Sequence, residues 1–332
     1  MIRLNRGVAA VLAAFLLAAP AAAANDSVAS MGAGGLIFQR TDGIEMRSED
    51  LYVSAREIRV RYRFYNRTDR DIGTLVAFPM PDLLGGIESD VALEDPLRMP
   101  FTTTVNGRRV ATNVEQKAVM NGVDHSGLVG GLGLPLSPRG DATMQALATL
   151  PQPQIDMLIE MGLIEDRSWT DAGVRHLDLA PLWTLKTTHY WTQVFPAGRE
   201  LDVRHRYAPA VGGSSGSVFG DPAMADSDYA NEQAARYCTD DAFRAGARRM
   251  RARGLHLSET WVDYILTTGA NWAEPIGDFR LVVDKGSSRN LVSFCGDGVR
   301  KISSTRFEIR RRNFTPSQDL SVLILTGERI DD

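Results

Sequence analysis

Residues Arg56 to Pro81 read REIRVRYRFYNRTDRDIGTLVAFPMP. Within this stretch Ile58, Val60, Tyr62 and Phe64 alternate with Arg59, Arg61, Arg63 and Tyr65. A period of two sends neighbouring side chains to opposite faces of a strand, so one face is apolar and the other carries arginine. Asn66 to Asp71 supplies a polar turn, and a β-branched and aromatic run follows from Ile72 to Phe78. Pro79 and Pro81 end that run, because proline brings no N–H to a ladder. The pattern predicts a long hairpin with one dry face. Such a face needs a second sheet against it, which makes the hairpin half of a β-sandwich.

Working outward, Asn25 to Met31 is small and polar and reads as a loose N-terminus. Gly34 to Phe38, Ile44 to Met46 and Leu51 to Val53 read as strands, and the Gly-, Pro- and acid-rich Asp82 to Met99 as a loop. Phe101 to Val105 and Arg109 to Val119 form a second hairpin over Asn106-Gly107, a strong two-residue turn signal. Residues 121–166 form a helical insertion. It has a glycine-rich start and two apolar stripes, Met144, Leu147, Leu150 and then Ile155, Leu158, Ile159, Leu163. Leu182 to Phe195 and Glu200 to Tyr207 return to strands around the Pro196-Ala197-Gly198 turn. Val211 to Gly220 reads as a linker. Beyond it, Thr239 is placed as the cap of an amphipathic helix with Phe243, Ala247 and Met250 on its apolar stripe. Strand patterns at about ten-residue intervals then fill the chain to Leu325. The expected fold class is mainly β: a first sandwich over 25–212 with its helical insertion, then a helix and a second sandwich over 213–332.

The 332 residues are 44% hydrophobic and 23% charged, the composition of a globular protein. The first 24 have a different character. Arg3 and Arg6 precede an apolar core from Val8 to Leu17, and Ala22-Ala23-Ala24 forms a small-residue cleavage site before Asn25. This reads as a secretory signal peptide cut between Ala24 and Asn25. Its loss removes two arginines and leaves 35 basic against 41 acidic residues, a net charge of −6. That balance excludes the strongly basic footprint of a nucleic-acid protein. No later stretch reaches the ~18 apolar residues of a membrane span. The expected location is the periplasm or the cell exterior, where Cys238 and Cys295, the two cysteines of the chain, are expected to pair as a disulfide.

Four runs carry a resemblance that covers nearly the whole mature chain: Gly43 to Asp50 (GIEMRSED), Thr267 to Trp272 (TTGANW), Asp278 to Lys285 (DFRLVVDK) and Leu291 to Cys295 (LVSFC). They resemble domain of unknown function 4424, a family of exported bacterial proteins, and the resemblance implies no activity. More loosely, Phe78-Pro79-Met80-Pro81 followed by Val105-Asn106-Gly107 resembles the vault/inter-α-trypsin type of β-sandwich.

Signatures of chemistry are missing. The five histidines form neither HExxH nor HxH, there is no GxSxG, and no GK[ST] follows the glycine-rich run. No cofactor or metal is expected. Weak candidates for binding remain. Asp240, Asp241 and Asp297 lie close to the two cysteines and would cluster across a disulfide, where they could hold Ca²⁺ or run acid–base chemistry. Trp191 could stack on a sugar, although large rings in a strand are more often core. The basic Arg244, Arg248, Arg249, Arg251 and Arg253 are accounted for by a dipole-matched, solvated helix end. The leading expectation is a binding or envelope-interaction module whose partner is an envelope protein or polysaccharide. The rival is a hydrolase working through the three aspartates, and the sequence leaves enzymatic activity open.

Overall fold

The computed structural model describes residues 25–32, 35–86 and 100–329. The expected signal peptide with Ala24, the Gly34 end of one expected strand and most of the expected Asp82 to Met99 loop lie outside the described residues. The chain is mainly β. Among the described residues the largest sheet has eight strands. Their order is Arg300–Lys301, Arg306–Phe314, Ile276–Asp284, Ile44–Ser54, Ile58–Asn66, Glu200–Tyr207, Phe101–Val105 and Arg108–Val110. A seven-stranded sheet runs Val123–Asp124, Asn113–Met120, Thr184–Phe195, Ile72–Pro79, Ser27–Gly32 and Gly35–Gln39, with Leu83–Leu84 paired to Thr184–Phe195. A four-stranded sheet runs Val211–Ser214, His256–Tyr264, Leu320–Glu328 and Leu291–Phe294.

One core joins all three. The eight-stranded sheet contributes Val60, Tyr62, Phe64, Val203 and Leu281, the seven-stranded sheet Val76, Phe78, Trp191 and Phe195, and the four-stranded sheet Val262, Tyr264 and Val322. The Tyr62 and Tyr264 hydroxyls meet at 2.9 Å across the interface. The two smaller sheets therefore lie side by side over the dry face of the larger one.

Three expectations change. Ile58–Asn66 and Ile72–Pro79 both form, but they belong to different sheets and face each other across the core instead of pairing as a hairpin. The turn between them is a corner. Buried Asn66 holds it, donating from Nδ2 to the Arg70 and Phe195 carbonyls at 2.8 Å and accepting from Thr68 N at 2.9 Å. The strand expected from Arg109 to Val119 likewise splits, Arg108–Val110 staying in the eight-stranded sheet and Asn113–Met120 crossing to the seven-stranded one. Alternation reports a buried face, and a facing pair satisfies it as well as an edge-to-edge pair. Finally, the residues on the two sides of Gly212 share a sheet and a core. Ile276–Asp284 runs parallel to Ile44–Ser54, from Asp278 beside Ser48 to Asp284 beside Ser54.

The N-terminus is not loose. Ser27–Gly32 is a strand, and Asn25, Asp26 and Ser27 are each fully buried. The insertion carries helices at Ser126–Gly131, Asp141–Ala148 and Gln152–Glu160 around a core of its own, which includes Leu147, Leu158, Leu163 and Trp183. Helix Asp241–Ala252 buries Phe243, Ala247 and Met250 as expected. Its cap is Asp240, which accepts from Phe243 N at 2.7 Å, while Thr239 is buried beside it.

Cys238 and Cys295 are bonded, with an S–S distance of 2.07 Å. Cys238 is the C-cap of helix Asp228–Tyr237, and Cys295 follows strand Leu291–Phe294. The bond thus fastens the helical pair to the four-stranded sheet and closes a 57-residue separation. Replacing both cysteines by serine should lower stability by about 2–4 kcal/mol, mostly through the freed unfolded chain. Amide exchange should rise first over Asp228–Tyr237 and Phe243–Met250; equal acceleration in all three sheets would contradict this order.

Candidate functional site: an arginine-lined sheet face

The eight-stranded sheet buries one face and leaves the other open. Strand alternation that points Ile58, Val60 and Tyr62 inward points Arg59 and Arg61 outward, and the neighbouring strands repeat it. Pairing register aligns Arg61 with Arg204, Asp50 with Arg61, Arg280 with Asp50, and Arg310 with Arg280. A single row across five strands therefore reads Arg310, Arg280, Asp50, Arg61, Arg204. The next row carries Tyr52, Arg59 and Arg206. The face holds a cavity of about 500 Å³ whose lining includes six arginines, at 59, 61, 204, 206, 280 and 306, and one carboxylate, Asp50.

Carboxylates at the margins set the guanidinium positions. Asp202 accepts from Arg61 Nε at 2.5 Å and from Arg204 Nε at 2.6 Å. Glu308, only 3% exposed, accepts from Arg280, Arg300 and Arg310 at 2.8, 2.6 and 3.1 Å. Hydrogen bonds from Arg310 and Arg280 hold the Glu308 carboxyl down at about 2, against the opposing effect of burial. Asp284 takes Arg306 at 2.8 Å and the Tyr52 hydroxyl at 3.1 Å. Arg59 lies 4.3 Å over the Tyr52 ring. A guanidinium has five donors, and these contacts occupy one or two of each. Arg206 pairs with Glu57 and Arg280 also with Asp50, so each cavity arginine is held by at least one neighbouring side chain.

Beneath this face lies a buried polar network. The register of Ile44–Ser54 shifts between Met46 and Ser48, a bulge at Arg47. Before it Ile44 and Met46 point inward; after it Glu49, Leu51 and Val53 do. The bulged Arg47 carbonyl packs so close to Gly277 that a Cβ there would sit 2.6 Å from it, so only glycine leaves the bulge its room. Glu49 Oε2 accepts from Asn25 Nδ2 at 3.0 Å. Asp26 Oδ1 meets His205 Nε2 at 3.0 Å, and His205 Nδ1 meets Thr103 Oγ1 at 3.0 Å. Trp272 Nε1 donates to the Asp26 carbonyl at 2.7 Å.

The residues singled out from sequence sit elsewhere. Trp191 is 2% exposed and packed in the common core, so its ring offers no face to a sugar. Asp240 caps its helix, and Asp241 is exposed in the first turn. The side chain of Asp297 is fully exposed, 3.8 Å from Arg311. Asp297 lines a cavity of about 230 Å³ to which neither Asp240 nor Asp241 contributes. Among the described residues no group of three His, Cys, Asp or Glu side chains is placed to hold a metal ion. The arginine row had a partial signal, the alternating Arg59, Arg61 and Arg63. Its other members lie in three distant strands, and only the strand order brings them together.

A family model matches residues 24–323. The chain belongs to the family described as Domain of unknown function (DUF4424). No curated protein matches it significantly. Among solved structures, a candidate nutrient binding protein from Legionella pneumophila aligns at 15% identity and a TM-score of 0.42. That alignment covers 91% of this chain and 70% of the other. A mutant M1 zinc metallopeptidase from Deinococcus radiodurans aligns at 10% identity and a TM-score of 0.24, covering 86% and 43%. Neither likeness is close enough to carry an argument about this DUF4424 chain.

His189 adds an acid sensitivity. Its ring stacks 3.9 Å from Phe101, and neither nitrogen has a hydrogen-bond partner among the described residues. Burial, with a smaller push from His205, lowers it from 6.5 to about 4. The unfolded imidazole takes a proton that the native one refuses, so stability falls as pH drops through that window. Between pH 7 and pH 4.5 the loss from this group should reach about 2–3 kcal/mol. Urea midpoints of the native chain and of His189→Phe should diverge accordingly; parallel acid profiles would show that His189 is not responsible.

Proposed function

We propose that this DUF4424 chain is exported to the periplasm or cell exterior and serves there as a binding module. Its arginine-lined face takes an anionic envelope component, best matched by an acidic polysaccharide. The observation that carries this reading is the row Arg310, Arg280, Asp50, Arg61, Arg204. Like charges directly opposite each other on a sheet are destabilising, by roughly 0.2–1 kcal/mol per pair. Arg61 with Arg204 and Arg280 with Arg310 are two such pairs, bridged by Asp202 and Glu308 respectively, and an anion laid along the row adds to that bridging. At about 4.8 Å per strand the row spans roughly 19 Å, longer than a single phosphate and suited to a chain of charged sugars. Tyr52, stacked under Arg59, adds an aromatic surface within the same cavity. Export is supported by the Arg3, Arg6, Val8 to Leu17 and Ala22 to Ala24 pattern, and a disulfide fits an oxidising compartment.

Titration calorimetry with polygalacturonate tests the binding. Affinity should fall steeply with added salt, because the contacts are between solvent-facing charges. Arg204→Gln and Arg280→Gln each leave the shared carboxylate another arginine, so both variants should fold. Together they should weaken binding at least about tenfold, or ~1.4 kcal/mol. Polygalacturonate binding unchanged by the double variant would exclude this face. Export has its own check: mass spectrometry of the envelope fraction should find Asn25 at the N-terminus, and an intact Met1 there would exclude cleavage.

A further inference from the structure

We propose that cleavage after Ala24 completes the fold: the new α-ammonium of Asn25 forms a buried ion pair with Glu49. The proposal rests on the export reading, which supplies the cut. Hydrolysis of the Ala24–Asn25 bond consumes one water; its oxygen leaves on the Ala24 carboxylate, and the Asn25 nitrogen is protonated to an ammonium. An envelope peptidase is the reagent class required.

Asn25 is enclosed. Its residue exposure is 0%, as is that of Asp26, and Glu49 is 1% exposed. The Asn25 backbone is gripped at both ends by Thr268, whose Oγ1 accepts from Asn25 N and lies 2.7 Å from the Asn25 carbonyl oxygen it donates to. The Asn25 carboxamide donates to Glu49 Oε2 at 3.0 Å, which puts that carboxylate within one side chain's length of the Asn25 α-nitrogen. Glu49 Oε1 and Asp26 Oδ2 are buried without a hydrogen-bond partner among the described residues.

Charge and donors are both short by one. The network holds two carboxylates, Glu49 and Asp26, and one group able to carry positive charge, His205, which is engaged with Asp26. Buried carboxylates left without a cation are costly. A peptide nitrogen has one N–H, which Thr268 takes; an ammonium has three. The added donors match the orphaned Glu49 Oε1, and the added charge balances the second carboxylate. The groups facing Glu49 in this pocket are the Asn25 carboxamide, Asp26 ahead of Ser27–Gly32, Tyr62 on Ile58–Asn66 and Tyr264 on His256–Tyr264. None of these is a cation. With a residue still attached ahead of Asn25, burial pushes Glu49 up to about 8, opposed by the Asn25 and Tyr264 hydrogen bonds. Its native form then keeps a proton that the unfolded form releases near 4.5, so that chain loses stability as pH rises from there through about 8. The ammonium removes this loss by keeping Glu49 ionised.

Two chains test it, one beginning at Asn25 after scarless removal of a fusion partner, the other keeping Ala24 as a blocking residue. At pH 7 the Asn25 chain should melt at least about 5 °C higher. Glu49→Gln keeps the shape and removes the charge, and should abolish the difference when placed in both chains. Equal melting of the parent pair, or a gap that survives Glu49→Gln, would overturn the ion pair and leave only steric crowding. Should the blocked chain fail to fold, an amine-directed reagent decides. It should label Asn25 in the native mature chain more than about tenfold slower than in urea, and equal rates would overturn the proposal. Because both chains are cut in vitro, the result stands apart from the export reading, which an intact Met1 in envelope material would remove by itself.

Discussion

The constraint on which this structure depends is the width of one dry face. Eight strands side by side span roughly 35 Å at about 4.8 Å each, and one inward row is apolar from Ile309 through Leu281, Leu51 and Val60 before it reaches the buried His205. Water cannot be left on such a surface, at ~25 cal/mol for each Å² of apolar area exposed. The seven-stranded sheet covers one part of it and the four-stranded sheet another. That is why chain ends distant in sequence meet. Ser27–Gly32 lies in one cover sheet, Leu320–Glu328 in the other, and Ile276–Asp284 lengthens the common wall beside Ile44–Ser54.

Much of this was legible locally and little of it globally. The strands at Ile58–Asn66, Ile72–Pro79 and Glu200–Tyr207 follow from a period of two, and the stripe of helix Asp241–Ala252 from a period near four. Which strands pair is decided by non-local contacts, so Asn66 looked like a hairpin turn and proved to be a corner. Trp191 was readable as core or as a sugar platform, and burial chose core. Asp240, Asp241 and Asp297 were brought close in the chain by the disulfide, yet capping and solvent claim them separately. Arg61 and Arg204 share a row only because strands 141 residues apart are neighbours at Asp202. No local pattern contains that fact. Glu49 is hidden from sequence for another reason. A strict alternation through Ile44 and Met46 would send it outward, and the bulge at Arg47 reverses the parity.

The two faces of the same strands divide the polar chemistry between them. Outside, guanidinium groups outnumber carboxylates along one row, and Asp202, Glu308 and the screening of water offset their repulsion. Inside, Asn25, Asp26, Glu49 and His205 sit where screening is absent and each unmatched charge is felt in full. A sheet can tolerate an excess of one sign on its wet side and use it to hold an anion. On its dry side the account must balance, group by group. The bulge that turns Glu49 inward therefore creates a demand that Ile44–Ser54 cannot meet from within its own strand. What meets it must enter along with Ser27–Gly32, the strand whose leading residues are the most deeply buried polar segment described. The wall's register and the identity of the residue ahead of that strand are, in this sense, one physical problem: Gly277 makes room for the bulge, the bulge buries a carboxylate, and the carboxylate calls for a cation at Asn25.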